Sequence, residues 1–192
     1  MAEALTPRQD EVFAVAERLF ARRGFHATSV RDIAESMQIK GGSLYAHIES
    51  KDDLLWEILN SAAHRFFKAA EPIVAADMVP IQKLRRLIAA HVRVVTGNLN
   101  AAAIYTTEWR CLEEPRRAEF LAQRDAYERM VRDLVSECIR EGTFAAVEEK
   151  FATLLILSSI NWIYQWYRPE GPMTPDEIAS KLTDMIFNGL RR

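Results

Sequence analysis

The chain has 192 residues, 49% of them hydrophobic and 27% charged, and a formal net charge of −2. That length and apolar content can bury one sizeable core, or a small head joined to a larger bundle, and they exclude a disordered chain. They also exclude a globally cationic nucleic-acid binder. Within residues 1–51, Arg8, Arg18, Arg22, Arg23, Arg31, Lys40 and Lys51 are balanced by Glu3, Asp10, Glu11, Glu17, Asp32, Glu35 and Glu49. Affinity for DNA must therefore come from the placement of Arg31, Lys40 and Lys51, not from an overall field.

In chain order, Thr6, Pro7 and Gln9 open a first helix as cap, first helical position and box partner. Val12, Ala16, Leu19 and Phe20 form its inner stripe, and it closes on Arg22, Arg23 and Gly24, cations at the negative end and a glycine for a left-handed cap. Phe25 then plugs the core of the head. Ser29 and Asp32 make an N-terminal cap for a helix from about Val30 to Met37. Gln38, Ile39 and Lys40 leave room only for a sharp turn, and Gly41 and Gly42 let the backbone approach a neighbouring surface. A second short helix, Ser43 to Ile48, turns Leu44 and Ile48 inward and leaves Ser43, Tyr45, Ala46 and His47 outward. Ser50 and Asp53 cap a longer helix from Lys51 to about Ala70, its lysine and free N–H groups available to a phosphate. This is the layout of a helix-turn-helix.

The remainder shows helical spacing and no alternating strand pattern. Helices are predicted at Ile81–Leu99, Ala101–Cys111, Pro115–Glu141, Ala145–Tyr167 and Pro175–Leu190, with breaks at Pro72, Pro80, Pro115, Gly142, Pro169, Gly171 and Pro172. Thr174 and Glu177 repeat the capping design, ahead of a stripe of Ile178, Leu182, Met185 and Ile186. The fold class expected is all-α: a three-helix head (residues 1–50) followed by a helical ligand-binding and dimerisation bundle (residues 51–192). The helix from Ala145 is apolar nearly all round, so it must be covered on more than one side, most simply by a second subunit. Its span from Phe151 to Tyr167 falls short of the roughly 20 residues a bilayer requires and carries Ser158, Ser159, Asn161 and Gln165, so no membrane segment is expected. Cys111 and Cys138 lie far apart without metal-ligand spacing, which fits reduced thiols in a cytoplasmic protein, and the N-terminus does not read as a signal peptide.

The run GFHATSVRDIAESMQIKGGSLYAHIESKDDLL resembles the N-terminal signature of the tetracycline-repressor (TetR) family of transcriptional regulators. The resemblance implies a homodimer that binds double-stranded operator DNA, with the helix from Ser43 in the major groove. The implied DNA-binding set is Ser29, Arg31, Lys40, Gly41, Gly42, Ser43, Tyr45, Ala46, His47 and Lys51. It also implies that the last two helices form a four-helix dimer interface, which would set the two heads at successive grooves.

The second half sets aromatics beside polar groups, an arrangement that suits either a small-molecule cavity or an ordinary core and interface. Its wording resembles the branch of TetR regulators that control fatty-acid, aromatic or steroid catabolism and respond to coenzyme A thioesters. That resemblance implies an acyl or aryl group among Tyr105, Trp109, Phe120, Tyr127, Asn161, Trp162, Gln165 and Trp166. Arginines, among them Arg110, Arg116, Arg117, Arg124 and Arg168, would meet the phosphates. No resident cofactor, metal site or catalytic residue is expected, since His26, His47, His64 and His91 lack metal spacing and no nucleophile elbow appears. Two alternatives stay open: a repressor answering to another hydrophobic ligand, and a helical interaction module without DNA binding.

Overall fold

Residues 7–46 and 48–190 are described by a computed structural model, and among them every regular element is helical. The predicted cap Thr6 and the predicted groove residue His47 lie outside the described residues. Helix α1 (Pro7–Arg23) buries Val12, Ala16, Leu19 and Phe20. It ends at Gly24, whose φ of 85° suits a residue without a Cβ and whose N–H donates to the Phe20 carbonyl at 2.9 Å. Phe25 follows, buried edge-on against Phe20 at 5.3 Å between ring centroids.

Helix α2 (Val30–Ser36) carries a complete capping box: Ser29 Oγ accepts from the Asp32 N–H, and Asp32 accepts from the Ser29 N–H at 2.7 Å. The turn into α3 (Gly41–Leu44) falls at Gln38–Lys40 as the spacing predicts, and its left-handed residue is Gln38 (φ 57°). Gly41 and Gly42 form the first turn of α3, and a Cβ on either would meet nothing within 4 Å, so neither serves a close approach inside the chain. Helix α3 thus begins two residues before the predicted Ser43 and gives way to a turn at Tyr45. The Gln38 reversal brings the Lys40 carbonyl to the Ser43 N–H at 2.9 Å, which starts the helix early.

Helix α4 (Lys51–Val74) is capped by Ser50 and runs through Pro72, which the sequence reading took as a break. The lost N–H falls in the last turn, where the Lys68 carbonyl belongs to an exposed residue that water can serve. Helices α5 (Pro80–Gly97) and α6 (Leu99–Thr107) meet at a bend of 103°. Asn98 sits at the corner, its Oδ1 accepting from the Ala101 N–H at 3.0 Å and its Nδ2 donating to Glu17 at 2.8 Å. A 3-10 turn (Glu108–Cys111) leads to α7 (Arg116–Arg140). The predicted single helix from Ala145 to Tyr167 is instead α8 (Glu149–Asn161) and α9 (Ile163–Trp166), parted at Trp162. It starts late because the Ala145 N–H is drawn to the Leu190 carbonyl at 2.8 Å and Glu148 is extended. Helix α10 (Pro175–Leu190) keeps its predicted bounds and its Thr174–Glu177 cap.

Two apolar cores share α4. Leu54, Leu55, Ile58 and Leu59 pack with α1–α3 and also with Ile104, Leu112 and Phe120, while Phe66 and Ala70 belong to the core of α5 and α7–α10. The head is therefore seated on α6 and α7 and not merely tethered to them. One apolar face stays open to solvent: Phe151 (68% exposed), Leu154, Leu155 and Trp162 on and after α8, with Met185 (73%) on α10. Met185 leaves the inner stripe predicted for it. Among the described residues no single helix is long and apolar enough to cross a membrane.

Candidate DNA-reading head and ligand cavity

Leu44 and Ile48 are buried in the head core, and Tyr45 and Ala46 just after Leu44 are exposed. Ser43, Tyr45 (58% exposed), Ala46, Lys40, Gly41 and Gly42 form one exposed surface with Ser29 and Arg31 beside it. Arg31 pairs with Glu35 on its own helix at 2.8 Å while staying almost wholly exposed, so water or a phosphate can compete for it. Lys40 has no ion-pair partner among the described residues. Hydrogen bonds from Ser29 hold the Asp32 carboxyl below its usual range, with Arg23 assisting, so this cap stays ionised well into acid.

Lys51 is not the free ammonium the sequence suggests. Its Nζ donates to the carbonyls of Phe25 (3.0 Å) and Thr28 (2.9 Å) and lies 4.1 Å from the Phe25 ring centroid. Two of the three ammonium hydrogens fasten the loop before α2, leaving one for a phosphate.

Behind the head, α4–α8 enclose a cavity of about 700 Å³. Its inner wall is buried Phe66, His91 and Tyr127 with Tyr105, and its mouth is Leu121, Phe151, Leu154, Leu155 and Trp162. Of the predicted ligand residues, Tyr105, Arg124, Tyr127, Asn161 and Trp162 meet here. Trp109 and Phe120 do not, because they stack on each other at 6.5 Å within the head core, and Arg110 lies over Trp109 at 4.5 Å. Gln165, Trp166 and Arg168 point away, since α9 turns at Trp162; Arg168 donates to the Tyr167 carbonyl at 3.0 Å. Arg116 pairs with Asp53 and Arg117 with Glu114, so the arginines do not gather into a phosphate cradle. Arg124 at the cavity is accompanied by Asp125 and Glu128.

Sequence reasoning missed His91. It is 3% exposed, with Nδ1 3.0 Å from the Tyr127 hydroxyl and Nε2 3.1 Å from Asn161 Oδ1. Burial pushes its pKa down to about 4, although the Asn161 contact pulls the other way, so the imidazole is neutral at pH 7. The available signal was its lone polar place on the α5 stripe of Leu84, Leu87, Ile88, Val92 and Val95.

The cavity also reaches the head through contacts. Tyr105 packs on Phe66 (5.1 Å) and Phe120 (5.1 Å), and one turn further on Glu108 Oε2 accepts from the Phe25 N–H at 2.9 Å. Residues 12–58 match the bacterial regulatory proteins of the tetR family, and residues 77–190 match the tetracyclin repressor-like C-terminal domain. The chain belongs to the TetR family of transcriptional regulators. The repressor KstR2 of Mycobacterium tuberculosis H37Rv is 28% identical over 194 residues, spanning 100% of this chain and 97% of its own. A solved structure of M. tuberculosis KstR2, a ketosteroid transcriptional regulator, superposes with a TM-score of 0.92 at 27% identity, covering 98% and 97% of the two chains. This TetR-family regulator is also similar to PfmR of Thermus thermophilus, at 31% identity, 94% and 99% coverage and a TM-score of 0.84. AibR, solved in complex with isovaleryl coenzyme A and operator DNA, gives a TM-score of 0.84 at 26% identity over 94% and 98% of the chains.

Proposed function

We propose that this regulator is a homodimeric cytoplasmic repressor that binds a palindromic operator through α3 and is released when a hydrophobic effector, an acyl coenzyme A thioester, enters the α4–α8 cavity. The observation that carries the reading is the continuity between cavity and head: Tyr105 lines the first, and Glu108, one turn later, holds the backbone of the second at Phe25. Ser29, Arg31, Lys40, Ser43 and Tyr45 are exposed groups that could meet phosphates and base edges, Ser29 and Arg31 in competition with their contacts to Asp32 and Glu35. The open side chains of α8 and α10 would be covered in part by a second copy, so that the cavity mouth opens at the subunit seam and the separation of the two heads is fixed. The head at residues 1–50 and the bundle at 51–192 act as reader and sensor, with α4 common to both.

The cavity suits the acyl or aryl portion of the effector. Arg124 is offset there by Asp125 and Glu128, so the phosphate-bearing portion of a thioester would lie outside the mouth. The AibR complex supports the thioester class, and the likeness to KstR2, a ketosteroid transcriptional regulator, supports a hydrophobic effector. A tenfold loss of operator affinity needs about 1.4 kcal/mol of coupling, and operator must weaken effector binding by the same factor.

The test has two arms. Tyr45→Ala with Lys40→Ala is expected to abolish the gel shift on the promoter beside its own gene while leaving dimer mass and helix content intact; retained binding rejects the reading surface. Calorimetric titration with a panel of coenzyme A thioesters, with and without operator, is expected to give one ligand whose affinity drops when DNA is present. A panel that leaves the operator complex intact rejects the effector class.

A further inference from the structure

The inner wall of the cavity carries a polar relay with a definite hydrogen-bond logic. Asn161 Oδ1 cannot donate, so the 3.1 Å contact requires the hydrogen on His91 Nε2. His91 Nδ1 then accepts, and the Tyr127 hydroxyl donates to it at 3.0 Å. Every hydrogen of the relay is spent except the two on Asn161 Nδ2, which has no partner among the described residues and belongs to a cavity-lining side chain. Turning the Asn161 amide over reverses each bond and leaves the Tyr127 O–H and the second Asn161 Nδ2 hydrogen unspent. In either polarity the cavity-lining Asn161 keeps at least one unspent Nδ2 hydrogen. The Tyr105 hydroxyl, also without a partner among the described residues, belongs to another cavity-lining side chain.

Resting on the effector reading above, we propose that Asn161, held by the His91–Tyr127 relay, selects effectors whose buried end carries a neutral acceptor oxygen, a carbonyl above all, over wholly hydrocarbon tails. A purely alkyl group pushed against this wall would strip water from a spare donor and return nothing, and sites built to hydrogen-bond an oxygen discriminate strongly against ligands lacking it. A carboxylate is disfavoured as well. The wall offers amide and phenol donors but no buried cation, the sole nearby guanidinium, Arg124, lies 5.3 Å from the Trp109 ring centroid, and His91 is neutral. Asn161 acts on the ligand directly; His91 and Tyr127 are positioning residues that fix its amide.

The experiment uses the full chain and two neutral probes that differ by one oxygen, butyrophenone and butylbenzene, with binding read from protein NMR shifts. The ketone is expected to bind about tenfold more tightly than the hydrocarbon. In Asn161→Leu that ratio is expected to fall to one or below, because the ketone loses its donor while the hydrocarbon gains a matching wall. Tyr127→Phe keeps the ring and frees the imidazole, and is expected to cut the ratio at least threefold; it also serves as the readout if Asn161→Leu does not fold. Equal binding of both probes to the unmodified protein, binding of neither, or a tenfold ratio preserved in the variants overturns the inference. Failure of the effector reading shows elsewhere, as a thioester panel that leaves operator bound.

Discussion

The buried imidazole gives the sharpest quantitative prediction. His91 is 3% exposed and its pKa is lowered to about 4 from an ordinary 6.5, so between those values the unfolded chain holds a proton that the folded chain refuses. Stability then rises with pH by about 1.4 kcal/mol per unit across that window, is fully present above 6.5, and is lost as the pH falls toward 4. Integrated over the window, the loss is roughly 3 kcal/mol, a substantial part of the 5–15 kcal/mol typical of a domain. The groups facing the imidazole do not obscure this. Tyr105 and Tyr127 have pKa values raised by burial and stay neutral, and Arg124, Asp125 and Glu128 line the cavity from α7. Asp32, Asp53 and Glu177 have lowered pKa values, so their own losses begin as the pH enters the ordinary carboxylate range, at the acid end of this window, and deepen below it. Urea unfolding at half-unit steps from pH 4.5 to 7.5 measures it, with His91→Gln as reference because Gln can still bridge Tyr127 and Asn161. The difference between the two proteins should shrink steadily as the pH falls. A pH-independent difference, or an NMR titration placing His91 near 6.5, refutes the argument.

Two further outcomes follow from single contacts. Glu108→Ala removes the acceptor of the half-buried Phe25 N–H and should cost about 1–3 kcal/mol in urea unfolding, whereas Glu108→Gln should recover most of it. In both variants effector-driven release from operator should weaken, as read by fluorescence anisotropy of labelled DNA at saturating ligand. Phe151→Asp with Met185→Asp places charges on the open side chains of α8 and α10 and should convert the proposed dimer to monomer in sedimentation, with operator affinity lost alongside. A dimer that persists would locate the subunit contact elsewhere.

The parts of this fold written in short-range chemistry were legible in the sequence. The Ser29–Asp32 and Thr174–Glu177 caps and the left-handed Gly24 end lie within a turn of what they stabilise, so spacing alone reveals them. What escaped depends on distant residues. Nothing local predicts that the Ala145 N–H is claimed by Leu190, or that Lys51 is turned inward by the Phe25 and Thr28 carbonyls. The five arginines read as phosphate partners disperse because each finds its own acid, ring or carbonyl nearby. His91 escaped for the opposite reason: a polar residue on an apolar stripe looks like any satisfied core histidine until α7 and α8 deliver Tyr127 and Asn161 to its two nitrogens.

The corner residue Asn98 gives α6 a second hold on the head. At one end of the helix its amide grips Glu17 of α1, and just beyond the other end Glu108 grips Phe25. A rod clasped at both ends cannot pivot about either, so a push from the ligand side must twist or carry the whole reading head as one piece. Cutting one clasp would convert that stiff lever into a loose hinge, and the signal would then dissipate as wobble before reaching the DNA.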